Sequence, residues 1–320
     1  MNRYLYAIHF HMTMPLKFSA PLLLLSLTLA SRCAVQPAKP EGPQRFVSYA
    51  ERMDEEERTQ RKAAGLLAMV ARTPDPADSS HRLVVAIDSF DTEGNQVFNQ
   101  TFGPDGKPIK EIRHRYEDGL LVETRQQEAE RSVVVTYTYN ATRQKSFELV
   151  RDGKGDTLLT RAYTYDAIGN ETEASFYRKA NQTRLTKVTT YDAQGRPATV
   201  QERNGETVNW EERYTYTDSL DATERSAGGQ VQVIYQMRYD DKGHSTSLEQ
   251  LGPDRQPRIT VKMTYDDKGR LLKELTFGPQ GNQVSAFEYT YDAKGMRASR
   301  VMTRPDIAGP MVLEYEPTYR

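Results

Sequence analysis

A Tyr-Asp-x-x-Gly pentapeptide returns along this chain at a near-constant pitch, and that pitch constrains the fold more than any other feature. It reads Tyr165-Asp166-Ala167-Ile168-Gly169, Tyr191-Asp192-Ala193-Gln194-Gly195, Tyr239-Asp240-Asp241-Lys242-Gly243, Tyr265-Asp266-Asp267-Lys268-Gly269 and Tyr291-Asp292-Ala293-Lys294-Gly295. Degenerate copies begin at Phe90, Tyr116, Tyr139 and Tyr216. The steps between successive aromatics are 23, 25 or 26 residues. A fixed pitch of this size means a repeat architecture whose units lean on their neighbours.

The residues before each Tyr-Asp alternate. Ile259, Val261, Met263 and Tyr265 are separated by Thr260, Lys262 and Thr264, and Val231, Val233, Tyr235, Met237 and Tyr239 repeat the pattern. Period two with β-branched and aromatic residues is a half-buried strand. Asp166, Asp192, Asp240, Asp266 and Asp292 are turn formers, because Asp at the head of a turn accepts backbone N–H groups two residues on. Gly169, Gly195, Gly243, Gly269 and Gly295 supply the left-handed residue that ends such a turn. A calcium β-roll needs glycine-rich nonapeptides, which the chain lacks. A second turn divides each unit, as in Gly103-Pro104-Asp105-Gly106 and Gly278-Pro279-Gln280-Gly281. The expectation is an all-β repeat: a coiled antiparallel sheet of about nine hairpin units over residues 82–300, with a short N-terminal helix.

The string Thr264-Tyr265-Asp266-Asp267-Lys268-Gly269-Arg270, with its partner Thr190-Tyr191-Asp192-Ala193-Gln194-Gly195-Arg196, resembles the YD repeat of the bacterial Rhs family over about residues 83–300. The resemblance implies a spiralling β-sheet, which in long members forms a shell around a toxin domain. Here the repeats are few and 25 residues follow Gly295, so no toxin domain is expected and the toxin role is not carried over. The repeats are also similar to the short tyrosine- and glycine-rich β-repeats of some antitoxin-like proteins.

Residues 1–33 read as a signal peptide with the apolar run Leu22-Leu23-Leu24-Leu25, too short for a membrane span, and Met14 is the expected start. Cys33, the single cysteine, sits where a lipoprotein cysteine belongs, but Arg32 before it breaks the lipobox rule. Two readings stand: a lipid anchor at Cys33, or an ordinary cleaved signal. Pro37, Pro40 and Pro43 mark a linker over 34–45. Residues 46–73 carry apolar side chains at three- and four-residue spacing and read as a helical cap on the first repeat. Residues 301–320 read as a C-terminal tail or a final strand.

Without the leader, 40 basic residues face 44 acidic ones, interspersed, which opposes a nucleic-acid partner. A mean hydropathy of −0.73 fits a sheet with much polar face. There is no Gly-x-Ser-x-Gly, P-loop or dinucleotide fingerprint, and the histidines lack metal-ligand spacing, so no catalytic residue, metal or cofactor is expected. The remaining candidate is a ladder of aromatics, Tyr191, Tyr214, Tyr216, Tyr239, Tyr265 and Tyr291, with Trp210 as its anchor. The simpler view makes that ladder the packed face of the sheet. The functional expectation is an exported, non-enzymatic binding or scaffolding protein of the periplasm, envelope or surface, with a protein or glycan partner. A glycan hydrolase using paired carboxylates and an immunity or antitoxin-like partner protein are the alternatives.

Overall fold

The structure, a computed structural model, describes residues 44–75, 78, 80–307 and 309–320. The expected leader, its Cys33 and most of the linker lie outside the described residues. The first element is a helix, α1 (Tyr49–Ala64). Ser48 Oγ accepts the Glu51 N–H at 3.2 Å while the Glu51 carboxylate accepts the Ser48 N–H at 3.0 Å, a reciprocal capping box. Gly65, at φ +69°, turns the chain out of the helix. The expected helix over 46–73 therefore stops early, and Leu66–Pro74 forms strand β1. The spacing of Leu66, Leu67 and Val70 suits either element; the left-handed Gly65 decides between them.

Twenty strands, β1 to β20 (Met311–Tyr319), form one antiparallel sheet. Chain neighbours pair throughout, and β1 pairs with both β2 (Arg82–Phe90) and β20, so the sheet closes on itself. Val70 stands opposite Ile87 on one side and Glu316 on the other. This corrects the expectation of an open, coiled sheet of about nine hairpin units: the molecule is a closed barrel. The reason lies in the segments outside the repeat. An open sheet leaves two unpaired edges, and strands β1 and β20 pair those edges with each other.

The repeat sets the wall geometry. Asp266 Oδ1 accepts the N–H groups of Lys268 at 2.9 Å and Arg270 at 2.8 Å, and the Gly269 N–H donates to the Asp266 carbonyl at 2.9 Å. Asp166, Asp192, Asp240 and Asp292 accept the same pair of backbone donors, and the five turn glycines lie between φ +76° and +91°. The strand register slips by one between the tyrosine of each of the five full copies and the residue before it, as at Thr164/Tyr165, Thr264/Tyr265 and Thr290/Tyr291. Such bulges bend and twist a sheet, which helps it close.

Side chains alternate across the wall. Thr138, Thr164, Thr190, Thr215, Thr264 and Thr290 are exposed, whereas the residues on each side of them, tyrosines except for Thr189 and Met263, are buried or half-buried. The buried phase faces the lumen. The outer phase also carries Arg113, Arg125 and Arg213, each more than half exposed. A lipid-facing barrel needs an apolar outer band; this outer wall is built for water.

The chain before β1 straps one mouth of the barrel. The Phe46 N–H donates to Asn170 Oδ1 at 2.6 Å, and the Gln44 carbonyl lies over Gly195. At the other end of α1, Arg61 Nε donates to the Gly94 carbonyl at 2.9 Å and Lys294 Nζ to the Ala64 carbonyl at 3.1 Å. In the ring of strands, the turns at Gly169 and Gly195 lie opposite those at Gly94 and Gly295. Sixteen residues of helix, about 24 Å long, thus cross the mouth.

Candidate functional site: the inner wall of the barrel

Barrels of sixteen or more strands enclose more space than wall side chains fill. The inner wall is therefore the surface on which chemistry can be placed. It divides into two sectors.

One sector is apolar. Val261, Met263, Leu271 and Tyr289 form its buried core, with Leu248, Tyr265, Phe287 and Tyr291 packed against it. These residues come from four adjacent strands, β15 (Ser245–Leu251) to β18 (Gln283–Tyr291), and β19 (Arg297–Thr303) follows them in the wall. Glu274 is set into this sector at 3% exposure, and Tyr289 Oη donates to its Oε2. Its Oε1 is buried without a partner. Burial raises the Glu274 carboxyl above its ordinary value, against the hydrogen bond from Tyr289 and the nearby arginines Arg297 and Arg300.

The other sector, β6 (Arg131–Tyr139) to β13 (Leu220–Ala227), is charged. Glu148 is 5% exposed; it pairs with Arg161, accepts from Tyr163 Oη at 3.2 Å and has Lys145 Nζ at 3.5 Å. Glu212, at 2% exposure, accepts Arg225 Nη2 at 2.7 Å and Tyr214 Oη at 2.6 Å. The Arg225 guanidinium also lies 4.4 Å over the Trp210 ring, a cation–π contact. Burial pushes the phenols of Tyr163 and Tyr214 well above the ordinary tyrosine range, with the neighbouring glutamates adding to it. Between these clusters stand Glu171 and Lys187. Burial raises the Glu171 carboxyl, opposed by Lys187 and Lys145, and lowers the Lys187 ammonium, opposed by Glu171 and Glu212.

The aromatics singled out from sequence all stand in the inward phase, and most of their hydroxyls are already engaged. Tyr191 Oη donates to the Glu171 carbonyl at 2.7 Å, Tyr216 to Pro197 at 2.9 Å, Tyr265 to Ser245 at 2.8 Å and Tyr291 to Leu271 at 2.8 Å. Tyr239 Oη donates instead to Asp221 Oδ2 at 2.8 Å. Each bond ties a strand to the start of the strand after the previous repeat turn. Trp210 and Tyr214 stand apart from this ladder, beside Arg225 and Glu212.

The inward charges were not singled out from sequence, although a signal exists. Lys187 falls in phase with Leu185 and Tyr191, Arg161 with Leu159 and Tyr163, and Glu212 with Trp210 and Tyr214. A charge in the apolar phase of a strand is a buried charge. Among the described residues, no group of three or more His, Cys, Asp or Glu is arranged to hold a metal.

At the strapped mouth, a cleft of about 510 Å³ lies between the C-terminal half of α1 and the turns beside it, lined by Gln60, Ala63, Ala64, Lys268, Arg270, Lys294, Gly295 and Met296.

No family model matches the chain, and no curated protein matches it. Among solved structures it is similar to a TcdB2-TccC3-TEV crystal structure at 15% identity and a TM-score of 0.35, over 76% of this chain but only 14% of that one. It is similar to a porin-like protein from Bacteroides uniformis at 8% identity and a TM-score of 0.38, over 79% of this chain and 98% of that one. It is also similar to a LolA superfamily protein from Nitrosomonas europaea at 12% identity and a TM-score of 0.19, over 83% and 93% of the two chains. At TM-scores this low the likenesses carry no argument about what the barrel does.

Proposed function

We propose that the chain is an exported, non-enzymatic binding protein of the bacterial envelope whose ligand lies inside the barrel. The observation that carries this reading is the split inner wall: an apolar sector around Val261, Met263 and Tyr289 faces a charged sector around Glu148, Lys187 and Glu212. An amphipathic molecule fits such a wall, with its polar end on the charged sector and its apolar body on the other. A folded protein partner fits it poorly, because the aromatics and buried charges point inward and the outer wall is Thr-, Arg- and Glu-rich. Two of the inner-wall glutamates, Glu148 with Arg161 and Glu212 with Arg225, are engaged by arginine and so are poorly placed for acid–base work on a glycan.

Trp210 is the sole tryptophan and lies on the inner wall, so it reports occupancy directly. The test follows Trp210 emission and acrylamide quenching while dodecyl maltoside, below its micelle concentration, or maltose alone is added. A blue shift with protection from the detergent but not from maltose supports an amphipathic ligand. A response to both favours a glycan ligand, and no response to either sinks the lumen as a binding site.

A further inference from the structure

Within the charged sector the basic side chains differ in one respect. Arg161 and Arg225 are each engaged by a glutamate, and Lys145 approaches Glu148. Lys187 is 9% exposed, yet no hydrogen bond or ion pair engages its ammonium among the described residues. It stands between Ala174 and Glu202 across the neighbouring strands, and Ala174, at 1% exposure, offers no polar atom in its side chain. Glu171 is the acid that couples most strongly to it, and their charged atoms lie beyond ion-pair distance. Among the described residues, the Glu171 carboxyl is likewise without a side-chain partner. Both groups are shifted by burial toward their neutral forms, an amine and a carboxylic acid.

The free-amine form of a buried lysine is a nucleophile toward carbonyl carbon. We propose that Lys187 is a reversible covalent capture site for an aldehyde or ketone carried on an apolar chain, with Glu171 as the proton donor. This rests on the reading of the lumen as the ligand site and names the chemical class of its ligand. The Nζ lone pair forms a bond to the carbonyl carbon as the C=O π bond breaks, and one of the two Nζ protons passes to the oxygen to give a carbinolamine. Glu171 then protonates the hydroxyl, the C–O bond breaks and water leaves. The nitrogen loses its remaining proton to the Glu171 carboxylate, leaving a neutral imine and restoring the acid. Water reverses every step, and no oxidant or further reactant enters. The gap between Lys187 and Glu171 is where the departing oxygen sits. The apolar chain extends toward the sector around Val261 and Met263. The other charged or titratable groups facing Lys187 are Glu202, Glu212 with Arg225, Tyr163 and Tyr191.

The test exposes the full chain to decanal with cyanoborohydride at pH 7 and maps the reduced adducts by peptide mass spectrometry. Burial lowers the Lys187 ammonium, so it holds more free amine at neutral pH than a solvated lysine and is expected to label several-fold ahead of the surface lysines. Lys187→Arg abolishes that adduct, and Glu171→Gln slows it while leaving the surface lysines unchanged. Trp210 emission shows that each variant is folded, and the wild-type map decides the matter alone should a variant fail to fold. Adducts spread over surface lysines with Lys187 unmodified overturn the proposal. If dodecyl maltoside still shifts Trp210 in that case, the lumen remains a binding site and only the covalent chemistry fails. If Trp210 also stays silent, both readings fall.

Discussion

The hydroxyl of Tyr265 donates to the backbone carbonyl of Ser245, 2.8 Å away and twenty residues earlier in the chain. Tyr165 makes the same bond to Lys145 at 2.6 Å and Tyr291 to Leu271 at 2.8 Å. The repeat tyrosine is thus a cross-tie between units as well as an aromatic wall residue. Burial raises the Tyr165 phenol up to about 12, with Glu171 adding to it, and burial raises the Tyr291 phenol too, so these two stay protonated donors at neutral pH. Tyr265→Phe keeps the ring and removes the tie. The expected loss is about 1 kcal/mol, read as a lower urea midpoint with an unchanged slope. Tyr265→Ala also opens a cavity and is expected to cost about 3 kcal/mol or more.

Two turn glycines test the strap. Gly195 sits at φ +76°, and a Cβ there meets the Gln44 carbonyl at 2.5 Å. Gly295 sits at φ +84° with open space around that position. Gly295→Ala carries only the left-handed penalty, about 1 kcal/mol. Gly195→Ala adds a clash with the strap. Limited proteolysis is expected to cut residues 44–64 several-fold faster in Gly195→Ala than in Gly295→Ala.

The Glu212–Arg225 pair is nearly fully buried, with side chains 3% and 14% exposed. Removing one partner leaves the other charge stranded. Glu212→Gln and Arg225→Met are each expected to lose about 3–5 kcal/mol. The double variant is expected to recover part of that loss, and a double-mutant cycle in urea measures the coupling.

Glu274 gives the barrel a signed pH dependence. Its folded value is raised above 4.5 by burial. A raised carboxyl contributes stability that is fully present below 4.5 and is lost as pH rises through the folded value. Lowering pH from neutral toward 5 therefore stabilises the wild type relative to Glu274→Gln, whose amide mimics the protonated acid. The turn residues Asp192, Asp240 and Asp266 work the other way: burial pushes each up, but hydrogen bonds from Arg196, His244 and Arg270 outweigh it and hold them below 3.8. Their contribution is lost only as pH falls further. Melting temperatures of the two proteins across pH 4.5–7.5 check the difference, and parallel curves reject it.

The strands and turns were legible because each is local: Ile259 to Tyr265 declares its phase within seven residues, and Asp266 with Gly269 specifies a turn within four. Closure was not legible, because Leu66–Pro74 pairs with Met311–Tyr319 and no short-range pattern records a partner so distant in sequence. The strand β1 was further hidden by spacing that suits a helix equally well. The inner-wall aromatics could be listed but not oriented until closure fixed which phase is inside. Glu212, Lys187 and Glu274 were written in that phase from the start; they were passed over because mixed charge along a strand ordinarily marks solvent.

The seam between β1 and β20 makes length a checkpoint in the birth of this protein. Strand β1 pairs with β2 as soon as that strand emerges, but its other edge waits for β20, the last strand in the chain. A chain halted before Met311 carries two bare backbone edges, on β1 and β19, that are free to join those of another halted chain. Only a chain that includes Met311–Tyr319 retires both at once.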